Sequence, residues 1–78
     1  MKVTILVVPA NEVREGRLEK LYRLRTVYED GWVKERLDTM DDGLVWEEAR
    51  RREQEERDAG NEVEVRRATA REAARNPW

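Results

Sequence analysis

Three carboxylates within five residues, Asp38, Asp41 and Asp42, form the tightest cluster of potential metal ligands in the chain. Oxygen donors of this kind can hold a hard cation such as magnesium or calcium. The residues around them lack the longer Asp/Asn/Gly/Glu loop pattern of a calcium hand, and a helix start already accounts for acids at this point. Glu47 and Glu48 could be imagined as a general acid and base, but they belong to a charged helix with no apolar pocket to shift a pKa. The chain has no Cys, no His and no Ser. Thiol and hydroxyl-of-serine nucleophiles, a histidine base, Cys/His zinc sites, iron–sulfur clusters and disulfides are therefore ruled out. The expectation is a protein that is not an enzyme, with no catalytic residues, no metal and no cofactor.

What remains is recognition chemistry. From Val65 to the end the chain carries Arg66, Arg67, Arg71 and Arg75 against Glu72 alone, a local positive patch that could meet phosphates. Residues 38–58 hold nine acids against four Arg, which opposes any general attraction to nucleic acid. Three Trp stand in a chain without Phe. Trp46 reads as core, packed from a helix onto a sheet. Trp32, next to a turn, is harder for the domain to bury and, with Val27, makes a candidate exposed patch of the kind found at partner surfaces. Trp78, the last residue, is either a tail folded back on the sheet or an anchor for another protein.

These side chains need elements to hold them. Val3–Val8 is a continuous β-branched and apolar run suited to an inner strand, with Pro9 expected to end its ladder. Ala10–Arg17 reads as a connection, with a short helical turn from Asn11 as the alternative. A longer helix through Leu24 competes, since Val13, Leu18, Leu21 and Leu24 partly suit helical spacing. Gly16 and the continuation Thr26-Val27-Tyr28 argue for strand. Lys20–Met40 has the pattern of a hairpin about Asp30-Gly31, here taken as a two-residue type I′ turn. That turn sets Tyr28 against Val33, Thr26 against Glu35 and Leu24 against Leu37. It collects Tyr22, Leu24, Tyr28, Val33 and Leu37 on one face and Arg23, Arg25, Lys34 and Arg36 on the other.

A helix is predicted from the Asp38–Gly43 region to about Ala59, with Gly60 as its left-handed stop. Glu47/Arg51, Glu48/Arg52 and Glu53/Arg57 are spaced to support it from outside. Glu62–Arg67 alternates as a strand. Thr69 and Glu72 are spaced as a capping box that could open a short final helix. The result is an α+β fold: a small β-β-β-α-β domain over residues 1–68, with a central hairpin and one charged helix packed on one face of the sheet. An Arg-rich tail follows over 69–78.

The chain is 78 residues long, 44% of them charged, with a net charge of only −2. A mean hydropathy of −1.01 borders on disorder, but near-cancelling charge removes the self-repulsion that drives it. The core of so short a chain is small. The opening MKVTILVVPA is too short to span a membrane and lacks a signal-peptide pattern, so a cytoplasmic protein without membrane contact is expected.

The stretch YRLRTVYEDGWVKERLDTMDDGLVWEEARRREQEERDAGNEVEVRR resembles a loose class of small accessory proteins of bacteriophages that infect high-G+C hosts. The shared pattern is a strand, an acidic-Gly turn, a strand ending in Asp-Thr, a charged helix and a final alternating strand. It covers residues 22–67 and carries no catalytic residues across. The resemblance implies a viral protein, located in the host cytoplasm, that acts by binding a host or viral protein. The expected function is thus a non-enzymatic protein-binding module with Trp32, Val27, Trp78, Arg66, Arg67, Arg71 and Arg75 as partner-binding residues, and with room for a homo-oligomer. A small nucleic-acid-associated protein using the Arg-rich strand and tail is the alternative, and a structural virion component is a third.

Overall fold

A computed structural model describes residues 1–38 and 42–74. Its elements are β1 (Lys2–Arg14), β2 (Arg17–Tyr28), β3 (Val33–Asp38), α1 (Asp42–Asp58), β4 (Glu62–Arg67) and α2 (Ala70–Ala74). The strands form one sheet in the order β3-β2-β1-β4; β1 is antiparallel to β2, β2 to β3, and β1 runs parallel to β4. The fold is α+β, with α1 crossing from one sheet edge to the other. The run Val3–Val8 is indeed internal, bounded by β2 and β4.

Alternation along the strands sorts the residues onto two faces. One gathers Val3, Ile5, Val7, Leu24 and Val63 around Val45 and Ala49 of α1, with Tyr22, Tyr28, Trp46 and Val65 packed at its margin. Each fully buried Val, Leu or Ile contributes ~1.5–3 kcal/mol, so this small cluster supplies much of the driving force. Trp46 takes the expected place between helix and sheet. The opposite face also buries apolar residues, Leu6, Val8 and Leu21, together with Arg25. The short helix α2 belongs to this second face: Arg25 Nη1 donates to the Glu72 carbonyl at 2.7 Å. The Arg23/Arg25 face is therefore not simply a wet one.

The helix ends follow local chemistry. Gly60, at φ 89°, donates to the Arg57 carbonyl while Asn61 N–H reaches Glu56, the reciprocal pattern of a Schellman stop. At α2 the capping box forms in both directions, with Thr69 N–H on Glu72 Oε1 at 2.9 Å and Glu72 N–H on Thr69 Oγ1 at 3.2 Å. On the surface of α1, Glu53 and Arg57 pair at 3.0 Å as spaced, whereas Arg51 reaches Glu48, three residues back, at 2.5 Å.

Three sequence expectations are corrected. β1 does not end at Pro9 but continues to Arg14, with Pro9 opposite Tyr22. Glu62 and Ala68 N–H groups bond the Met1 and Val7 carbonyls, so the odd residues of β1 turn their backbone towards β4. β4 pairs no further than Val7. The nitrogen of Pro9 thus points where no partner strand stands, and its missing N–H costs no ladder bond. Second, Ala10–Arg17 is neither connection nor helix: Arg14 and Arg17 close a two-residue hairpin in which Glu15 (φ 51°) and Gly16 (φ 75°) supply the positive angles of a type I′ turn.

Third, the Asp30-Gly31 hairpin has a three-residue loop. Gly31 N–H bonds the Tyr28 carbonyl and Tyr28 N–H bonds the Trp32 carbonyl, with Gly31 at φ 94°. This is a tight turn followed by a left-handed glycine. The register moves by one residue, so Val27 faces Val33, Arg25 faces Glu35 and Arg23 faces Leu37. Because side chains alternate, that step takes Val33 out of register with Tyr22, Leu24 and Tyr28.

Candidate docking surface

The β1–β2 hairpin outruns the sheet. β4 accompanies β1 only over Lys2–Val7, and β3 accompanies β2 only over Tyr22–Val27. Among the described residues, these two strands continue beyond those limits to the Glu15-Gly16 turn, and the molecule measures 45 Å along its longest axis. Val13 and Leu18 are cross-strand partners near the tip of this ribbon, 73% and 67% exposed. Two large apolar side chains held side by side in water form a patch that a protein partner can cover. Their parity places them on the same side of the sheet as α1. The helix starts over the base of the ribbon, where Asp42 meets Arg67 at 3.3 Å and Arg67 pairs with Val7. Leu44, half exposed, lines a shallow depression there with Glu47, Glu48 and Arg51.

Val13 and Leu18 entered the sequence reading only as helix-spaced residues. The signal that could have found them is Glu15-Gly16, an acidic-Gly dipeptide of the same kind as Asp30-Gly31, flanked by alternating residues on both sides.

The residues expected to bind a partner are dispersed. Trp32 is 63% exposed, at the far end of β2 from the ribbon tip. The 12 residues of β2 separate the two ends by about 36 Å at ~3.3 Å per residue. Val27 is half-buried, opposite Val33, and lines a small depression with Lys2, Thr4, Tyr28 and Glu29. Next to Trp32, burial and a 2.8 Å hydrogen bond to Glu56 raise the pKa of the Tyr28 hydroxyl, while Lys34 Nζ lies 5.7 Å from the Tyr28 ring centre.

The basic residues are already engaged. Arg66 grips the Glu72 carboxylate at 2.6 and 2.8 Å, and Arg67 holds Asp42. Glu72 is pulled down to about 2, first by Arg66 and then by the Thr69 N–H. Arg71 is exposed on α2. Arg75 and Trp78 lie outside the described residues, as does Asp41 of the acidic cluster. Among the described residues no group of His, Cys, Asp or Glu is arranged to hold a metal, and no helix is long and apolar enough to cross a membrane.

Edges matter as much as faces. On the β4 edge Arg57 Nη2 donates to the Val63 carbonyl at 3.1 Å, covering an outward backbone group with a cation. Set against known proteins, the chain matches no family model, and neither a curated protein nor a solved structure matches it.

Proposed function

We propose that this chain is a non-enzymatic protein-binding module that docks through its β-ribbon, an accessory protein of the kind implied by the phage-protein resemblance. The observation that carries the reading is the Val13–Leu18 pair, exposed on an arm that the compact sheet does not need for its own core. Trp32 offers a second exposed anchor at the other end of the molecule. The nucleic-acid alternative loses support because Arg66 and Arg67 have their charge met by Glu72 and Asp42.

The test is affinity capture from nuclease-treated lysate of the source cells, with wild type, Val13→Asp/Leu18→Asp and Trp32→Ala, each checked for fold by circular dichroism. A protein retained by wild type and lost with the ribbon variant is the expected result. Recovery of material only when nuclease is omitted, fading with salt, would overturn it.

A further inference from the structure

Val45, Ala49, Arg52 and Glu56 recur at the spacing of one helix stripe, so the face of α1 that buries Val45 and Ala49 continues into two charged, half-buried residues. Arg57, on one flank of that stripe, reaches the Val63 carbonyl of β4; Arg52, on the other, looks towards β2 and β3. Helical spacing offers Arg52 two carboxylates, Glu48 and Glu56. Both are committed elsewhere: Glu48 to Arg51, and Glu56 to the Tyr28 hydroxyl at 2.8 Å and the Asn61 amide at 2.9 Å. Among the described residues Arg52 Nε is buried without a hydrogen-bond partner, and so is the hydroxyl of Thr26, two residues from Tyr28 on the same face of β2. Lys34 stands opposite Thr26 on β3, with its Nζ 5.7 Å from the Tyr28 ring centre. Neither Arg52 nor Lys34 has an ion-pair partner among the described residues.

We propose that Arg52 and Lys34, which approach Tyr28 from α1 and β3, bind one carboxylate group carried by an acidic side chain of a protein partner. The proposal goes beyond the ribbon contact and uses none of its residues. A guanidinium already stripped of water at Nε and left without a counter-ion costs the fold free energy, and an oxyanion arriving at its other nitrogens offsets that cost. Lys34 supplies a second cation from the neighbouring strand. The charge around Tyr28 selects a monoanion. Burial, Glu56 and Asp30 push the Tyr28 hydroxyl pKa up while Arg52 pulls it down, so two acids share this corner with the two cations. A phosphate dianion meets twice the repulsion from those acids that a carboxylate meets. Trp32, whose carbonyl accepts the Tyr28 N–H, stands exposed at the same end and offers the partner an apolar contact beside the charge.

NMR titration of the full chain at constant ionic strength tests this with a blocked Gly-Glu-Gly peptide, its Gly-Gln-Gly counterpart and inorganic phosphate. With the Glu peptide, wild type is expected to show saturable shifts of the Arg52 Nε–H and Tyr28 amide signals at a dissociation constant on the order of 1 to 10 mM. The Gln peptide should give none, and phosphate weaker ones. Arg52→Met keeps the alkyl stem and should weaken binding by about tenfold or more, read at the Tyr28 amide. Lys34→Gln should weaken it severalfold. Without peptide, Arg52→Met should unfold at the same temperature as wild type or a higher one, since it removes an unpaired, half-buried charge. No saturation up to the order of 50 mM Glu peptide, tighter binding of phosphate, shifts unchanged in Arg52→Met, or lower thermal stability of that variant would each overturn the site.

Discussion

Arg25 and Glu35 stand directly opposite one another across the β2–β3 pair and meet at 2.9 Å, each side chain only 6% exposed. The Arg25 guanidinium spends its remaining reach on the Glu72 carbonyl, tying the third strand, the second strand and α2 into one polar joint. Such a pair adds little over an apolar pair of the same size, but losing one member strands a charge in the interior. Arg25→Ala is expected to cost ~3–5 kcal/mol, a large part of what a 78-residue domain has, whereas Arg25→Met with Glu35→Leu stays close to wild type. Denaturant midpoints of the three proteins check this.

Thr26 is fully buried on the α1 face, and its hydroxyl has no hydrogen-bond partner among the described residues. A buried hydroxyl without a partner costs ~1–3 kcal/mol, and valine keeps the shape without that group. Thr26→Val should raise the midpoint of thermal unfolding, by a few degrees for a gain of ~1 kcal/mol. An unchanged or lower midpoint would mean that the hydroxyl is satisfied in solution.

Glu72 fastens α2 at neutral pH and loses that hold in acid. Its carboxyl is depressed from an ordinary 4.5 to about 2, with the Arg66 hydrogen bonds as the largest cause. A folded-state pKa lowered in this way contributes stability that is complete above about 4.5 and is lost as pH falls towards 2. Glu72→Gln should flatten the acid limb of the stability curve in that window and leave the rest of its shape unchanged. NMR titration of the Glu72 carboxyl provides the direct reading.

Much of this architecture was legible in the residues, and the exceptions have definite causes. β4 runs over Glu62–Arg67 as read, since strict alternation between a helix-stopping glycine and a capping box leaves little choice. β1 was read too short because Pro9 normally breaks a ladder, and only the extent of β4 decides whether its nitrogen needs a partner. The hairpin register slipped by one because Asp30-Gly31 suits both a two-residue loop and a three-residue loop that ends in a left-handed glycine. Of the candidate site, Trp32 was read as exposed and is; the apolar ribbon tip was missed, since a helix-like spacing of Val13, Leu18 and Leu21 hid a second acidic-Gly turn.

That turn invites a change. Glu15 sits at φ 51°, in the left-handed region where a glutamate is strained and an asparagine is well tolerated. Glu15→Asn creates the preferred Asn-Gly sequence of a type I′ hairpin and should stabilise the ribbon by ~0.5–1 kcal/mol. Slower amide hydrogen exchange at the β1–β2 bonds near the tip, with exchange in α1 unchanged, is the expected signature.

The two described tryptophans should separate cleanly. Trp46 packs at the margin of the core, and Trp46→Ala is expected to cost ~3–5 kcal/mol at most, less any part its exposure returns. Trp32→Ala should stay within about 0.5 kcal/mol, because its side chain stands largely in water. Equilibrium unfolding of both variants decides, and acrylamide should quench Trp32 far more than Trp46.

The most direct test of the docking account is site-specific photo-crosslinking in the source cells, with benzoylphenylalanine at Leu18 and, as a control, at the exposed Glu55 of α1. The account predicts a discrete protein adduct from position 18, either a second copy or a partner, and none from position 55. Equal labelling at both positions, or no protein adduct at position 18 in a folded chain, would contradict it.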